Sequence, residues 1–181
     1  MDTGKIGFRG GLILLGACLF NTYAQAQQAS NWWYAELGVS RSVVDIAGTE
    51  FNPILPKAKL GIFVTQKILL EVQYSGSGDD QAANTDLEID NIKAAYLRLD
   101  SGIRSNMRMY VLLGNAETTL TVKRPGETVG VSDTYSDVSY AIGIEDRTFS
   151  KSTLLTLEYT RYYNNDDVTI SALSLGFKYE Y

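Results

Sequence analysis

Histidine is absent from all 181 residues. That removes the Ser-His-acid arrangement of hydrolases and every histidine-ligated metal from consideration. Cysteine occurs once, at Cys18. Because that position precedes a small-residue cleavage site, a mature chain would hold no disulfide, no thiol nucleophile and no cysteine metal site. No run of apolar residues is long enough for a membrane-spanning helix, and there is no GxxxxGK[ST] or EF-hand pattern. A basic stripe is also missing. With net charge −5 and a pI near 4.8, nucleic acid is not an expected partner. Three prolines, 16 glycines, 20% charged and 45% hydrophobic residues describe one folded domain rather than a disordered chain.

What is present begins with a distinct leader. Lys5 and Arg9 precede the apolar run Leu12 to Phe20, followed by Ala24-Gln25-Ala26. This is the anatomy of a secretory signal peptide, so the reading is residues 1–26 cleaved and residues 27–181 as the mature domain. Leu15-Gly16-Ala17-Cys18 also resembles the lipobox of bacterial lipoproteins. Cleavage there would leave a very short apolar region after Arg9, and the AQA site is better formed.

Beyond the leader, amphipathic runs of about ten residues alternate with polar or Gly-rich breaks, a pattern of transmembrane β-strands. Eight strands are predicted, at about 31–42, 56–65, 68–77, 88–99, 107–117, 136–147, 153–163 and 169–181. Short connections near 66–67, 100–106 and 148–152 alternate with longer ones near 43–55, 77–87, 118–135 and 164–168. The predicted fold is all-β, an eight-stranded antiparallel up-and-down transmembrane barrel, with both termini on the side of the short turns.

Alternation by itself does not separate a membrane barrel from a soluble periplasmic ligand-binding barrel with its apolar face inward. Glycine placement decides. Gly38, Gly61, Gly114, Gly143 and Gly176 share the charged face, and a narrow lumen needs small residues where a water-exposed face does not. The predicted interior therefore holds Glu36, Glu71, Glu145, Glu158 and Glu180 against Lys59, Arg98, Arg108, Arg147 and Lys178. Equal numbers of each sign in a confined space predict paired ions rather than a selective pore. Glu145 and Glu158, the carboxylates best placed for acid–base work, sit between basic residues on adjacent strands. Trp32, Trp33, Tyr74, Tyr140, Tyr159, Phe177, Tyr179 and Tyr181 fall mostly toward strand ends, where amphipathic rings meet the membrane interface.

The last strand completes the pattern. Leu173, Leu175, Phe177, Tyr179 and Tyr181 alternate with Ser174, Gly176, Lys178 and Glu180, an arrangement suited to pairing back onto the first strand. On Tyr140-Ala-Ile-Gly-Ile-Glu145, Leu155-Thr-Leu-Glu-Tyr159 and Leu175-Gly-Phe-Lys-Tyr179, the chain resembles the small outer-membrane β-barrel family of the OmpA membrane domain and OmpX. That resemblance implies a bacterial outer membrane, no cofactor, and a final strand (Leu173, Leu175, Phe177, Tyr179, Tyr181) read by the barrel-assembly machinery, with Tyr181 where the family usually has Phe.

The function expected is non-enzymatic, structural or surface-interacting through the external loops, by a monomer with lipid, lipopolysaccharide and a possible extracellular ligand as partners. A small porin-like channel is the alternative. Arg41, Lys93 and Arg161 break the apolar face near the external rim and are candidate contacts for lipopolysaccharide phosphates. Asp79, Asp80, Asp86, Asp166 and Asp167 are expected to keep external loops solvated, with weak divalent-cation binding as the alternative.

Overall fold

The computed structural model describes residues 32–82, 85–101, 106–123, 130–147, 152–165 and 167–181. The expected signal peptide, Cys18 and Asp166 lie outside the described residues. The strands are β1 (Trp33–Ile46), β2 (Thr49–Phe51), β3 (Ile54–Phe63), β4 (Ile68–Ser75), β5 (Gly78–Ala82), β6 (Thr85–Asp100), β7 (Met107–Lys123), β8 (Val131–Asp146), β9 (Thr153–Asn164) and β10 (Val168–Glu180). β2 and β3 form one stave interrupted at Asn52-Pro53, and β4 and β5 another interrupted at Gly76-Ser77. The ten segments thus make eight antiparallel staves. The wall closes where β10 pairs with β1, from Tyr34↔Glu180 to Ile46↔Val168.

In the half that holds the termini, apolar side chains face outward. Along β7, Met107, Met109, Val111 and Leu113 are exposed while Arg108, Tyr110 and Leu112 are buried. The same holds on β10, where Leu173, Leu175, Phe177 and Tyr179 point out and Lys178 and Glu180 point in. The inner face is crowded enough to require glycine at close approaches. A Cβ on Gly114 would lie 1.9 Å from the Ala95 carbonyl oxygen, and one on Gly143 would lie 2.2 Å from the Tyr110 ring.

The staves are longer than a bilayer requires. β6, β7 and β8 have 16, 17 and 16 residues, against about 9–11 for a tilted transmembrane strand. Much of the predicted external loops is therefore strand. The expected loop 43–55 is instead the end of β1, a two-residue turn and β2. In that turn Ala47 (φ 50°) and Gly48 (φ 86°) are both left-handed, as a tight hairpin demands, and Gly48 N donates to Asp45 Oδ1 at 2.9 Å. The expected loop 77–87 is mostly β5 and the start of β6, and 118–135 is mostly the two arms of the β7–β8 hairpin.

Polarity inverts along these extensions. Past Leu113 the outward residues of β7 are Asn115, Glu117 and Thr119, while Ala116, Thr118 and Leu120 are buried. On β6, Leu87, Ile89 and Ile92 point inward, the last two kept in phase by a bulge between Ile89 and Asn91. They pack with Val44, Phe51, Leu55, Val168 and Ile170 in an apolar core.

The wall also divides here. β8 pairs with β9 only from Tyr140↔Arg161 toward the short-turn end, β2 pairs with β1, and β5 pairs with β6. The external end is thus two facing sheets, β5-β6-β7-β8 and β9-β10-β1-β2, enclosing an apolar core. One seam is bridged by Asn52 N donating to Asp80 Oδ2 at 2.5 Å. At the other, Ser139 Oγ donates to the Arg161 carbonyl at 2.7 Å.

Closure rests on the β1–β10 ladder, which continues as Trp32 N to Tyr181 O at 3.0 Å and Tyr181 N to Trp33 O at 3.1 Å. Deleting Phe177–Tyr181 removes the part of that ladder nearest the short turns, from Leu37↔Phe177 to Tyr34↔Glu180, together with Lys178 and Glu180. The expected outcome is loss of the fast-migrating, heat-modifiable band on a gel, read in membranes of cells expressing the truncated chain.

Candidate functional site

Period-two alternation delivers the charged residues of eight strands to one narrow interior, where they meet in two tiers. In the tier nearer the external end, Glu158 on β9 is the hub. Lys57 Nζ lies 2.9 Å from its Oε1 and Lys59 Nζ 2.9 Å from its Oε2. Tyr110 Oη also donates to Oε2 at 2.9 Å, and Thr160 Oγ1 to Oε1 at 3.0 Å. Lys59 further pairs with Glu36 Oε1 at 2.9 Å, which Thr156 Oγ1 also reaches at 2.8 Å. Lys57 donates to Tyr162 Oη at 3.0 Å and Ser174 Oγ at 3.2 Å.

Glu145 on β8 is the hub of the second tier. Arg98 Nη2 reaches its Oε1 at 2.6 Å, Lys178 Nζ the same oxygen at 2.9 Å, and Arg108 its other oxygen. Arg98 Nε also donates to Asp100 Oδ1 at 2.7 Å, Nη1 lies 3.4 Å from Glu71, and Tyr34 donates to Glu71. Arg108 and Lys178 both bind Glu180, whose second oxygen accepts from Arg147 at 3.2 Å. The tiers are joined by Gln73 Nε2, 2.6 Å from Glu71 and 3.3 Å from Glu158. They are also joined by Tyr110, whose ring lies 3.7 Å beneath the Arg98 guanidinium.

All ten predicted interior residues therefore converge, with Arg147 at the mouth, its side chain 29% exposed. Two charged partners escaped the sequence reading. Lys57 stands in the inward phase two residues before Lys59. Asp100 stands two after Arg98, at a position assigned to a turn. With them the interior contains six carboxylates and six cations. The tyrosines Tyr34, Tyr96, Tyr110 and Tyr162 were also missed as a group. Tyr34 and Tyr110 lie over Gly61 and Gly143 on the neighbouring strands, a ring filling the space a side chain would occupy.

What the arrangement can do chemically follows from burial. Arg98, Lys178 and Glu145 are 0% exposed and Glu158 is 1% exposed, so their charges are met by one another rather than by water. Above them the apolar core fills the space between the two sheets.

Of the three candidate rim cations, Arg41 and Arg161 lie on the strands flanking β10, paired with Leu173 and Ser171 respectively. Lys93, on β6, lies well around the wall beside Glu117 at 3.9 Å. Asp79 and Asp86 help line a cleft of about 310 Å³ at the external end, with Leu87, Glu88, Thr121 and Lys123. Among the described residues no three acidic side chains converge as a metal ion would require.

The model of the outer membrane protein beta-barrel domain family matches residues 12–180. The chain belongs to this family. It is an outer-membrane barrel of a bacterial cell, and its exposed apolar belt is the lipid-facing surface. Solved structures share the fold at low identity. Ail, the attachment invasion locus protein of Yersinia pestis, solved with the heparin analogue sucrose octasulfate, is 15% identical over 83% of this chain and 99% of its own, with a TM-score of 0.63. Neisserial surface protein A is 15% identical over 82% and 97%, with a TM-score of 0.68. OprG of Pseudomonas aeruginosa is 10% identical over 83% and 96%, with a TM-score of 0.58. No curated protein matches the chain in sequence.

Removing one partner from a buried ion pair strands the other, at a cost of about 3–5 kcal/mol. Glu158→Leu leaves Lys57 without a carboxylate and Lys59 with Glu36 alone. Urea unfolding from lipid vesicles is expected to show that loss, whereas Glu117→Gln at the exposed Lys93 pair changes stability by no more than about 0.5 kcal/mol.

Proposed function

We propose that this barrel acts without catalysis, as a closed membrane anchor that displays a two-sheet external head for surface interaction and envelope integrity. The observation that carries the reading is the filled interior. Paired ions occupy the membrane level and an apolar core the external level, so the working surface is the outside of the head. Ail, which shares the fold, was solved in complex with the heparin analogue sucrose octasulfate, a polyanion. The head of this chain is predominantly acidic, so a polyanion is not its expected ligand. A porin-like channel is the competing role. Planar-bilayer recordings of the refolded protein are expected to show no stable single-size conductance, and a large reproducible one overturns the proposal.

Lipopolysaccharide contact is part of the same reading. Arg41 is level with the outward Leu173 and Arg161 lies two residues beyond the outward Tyr159, at the external margin of the apolar belt, and the buried Nε of Arg161 has no hydrogen-bond partner. Two guanidinium groups on that side form the phosphate contact, and Lys93 contributes less because Glu117 stands beside it. Arg41→Gln combined with Arg161→Gln is expected to lower co-purifying lipopolysaccharide several-fold. Lys93→Gln is expected to leave it nearly unchanged.

A further inference from the structure

β7 and β8 remain paired as far as Val122↔Val131. The other ladder of β8 ends at Tyr140↔Arg161. β9 runs only to Asn164, after which Asn165 N turns back to the Val168 carbonyl at 2.9 Å. Val131–Val138 therefore has β7 on one side and, among the described residues, no strand on the other. In an antiparallel strand alternate residues aim both N–H and C=O away from a given neighbour, so such a segment is a template for an added strand. Its amide at Val138 donates to the Asp137 carboxylate at 2.7 Å, a side chain standing in where a neighbouring strand would accept.

Side-chain phase defines what would fit. Ser139 points inward, so Asp137, Tyr135 and Asp133 share the inner face, and Ser132, Thr134, Ser136 and Val138 the outer one. The Tyr135 ring is held edge-on to Tyr163 at 5.1 Å between centroids, leaving a carboxylate on either side of it. A strand laid along this edge places its inner-face residues opposite Asp133, Tyr135 and Asp137 in turn. The complement is cation, apolar, cation at every second residue. A second copy of the chain does not meet that requirement. Antiparallel pairing of two β8 edges about Tyr135 sets Asp133 against Asp137 twice, and like charges directly opposite are destabilising. Glu88, Asp90 and Glu117 on the same sheet, against Lys93 and Lys123, extend the preference for a basic partner.

We propose that the free edge of β8 captures an extended basic segment of an external protein as an added strand, with cationic side chains opposite Asp133 and Asp137 and an apolar one opposite Tyr135. The proposal rests on the surface-interaction reading and names the chemistry of the partner.

The test uses the full mature chain refolded in detergent micelles and a labelled peptide, Ser-Thr-Lys-Thr-Val-Thr-Lys-Thr-Ser, followed by fluorescence anisotropy. Saturable binding is expected, weakened about tenfold when both Lys are replaced by Glu or when the protein carries Asp133→Asn and Asp137→Asn. Asp133→Lys with Asp137→Lys is expected to reverse the preference toward the Glu peptide. Methylating the peptide amides on alternate residues separates strand pairing from simple attraction. One phase of methylation should abolish binding and the other should leave it, because only one edge of the peptide faces β8. Absence of saturable binding overturns the proposal, as does equal response to both methylation phases, or dimerisation of the protein through β8 in sedimentation experiments. A silent bilayer alongside a failed peptide leaves the closed-barrel reading standing and removes only the edge-strand partner.

Discussion

Charge matching inside a closed sheet is the condition on which the rest of the molecule depends. Eight staves enclose a lumen just wide enough to be filled by side chains, and in this chain the filling is ionic at membrane level. Each buried ion would be prohibitive alone. Glu145 is acceptable because Arg98, Arg108 and Lys178 converge on it, and Glu158 because Lys57 and Lys59 do. Those partners come from strands distant in sequence, so the network exists only once the wall is closed by β1 and β10. Ion pairing and closure therefore support each other. The tyrosines complete the packing by covering the glycines that let the strands approach.

Two solvents act on one set of strands. Lipid around the first half requires apolar residues outside and leaves the polar ones to satisfy each other within. Water around the second half reverses the requirement, and β6 and β7 answer by exchanging the polarity of their two faces. β7 shows the exchange without a break in pairing: Leu113 is the last outward apolar side chain and Ala116 and Leu120 continue on the inside. Once the core no longer needs a closed wall, two seams open and the barrel becomes a sandwich. The membrane half confers anchorage and the sandwich confers a rigid, polar external surface. A head built from strands also differs physically from one built from loops, since its backbone is already ordered and little entropy remains to be lost on binding.

Much of this was legible in the residues. The outward belt, the inward placement of Gly61, Gly114 and Gly143, all ten interior charges and the β1–β10 closure follow from period-two alternation, which survives in any single strand read alone. The external half was not legible in the same way. Residues 43–55, 77–87 and 118–135 read as loops because the apolar pattern of the membrane half does not continue there: the bulge between Ile89 and Asn91 shifts the phase just after 77–87, and polarity inverts along β7. Thr, Asn and Asp on an outward face look like loop chemistry until a facing sheet shows that Leu120 and Ile89 are buried behind them. Lys57 and Asp100 were missed for a related reason, lying at strand ends where sequence does not say whether the inward phase continues.

The sequence by itself determined the class of the molecule: a transmembrane β-barrel, its lipid face, and an interior of balanced charge. These are properties of local alternation and composition. Tertiary structure alone decided which charge meets which, that an apolar core lies above the ions, and that the wall parts into two sheets with an edge on β8 that no strand covers among the described residues. Those features depend on register between strands and on where each ladder stops. A period-two pattern fixes which face a residue occupies but carries no information about its height relative to residues on neighbouring strands.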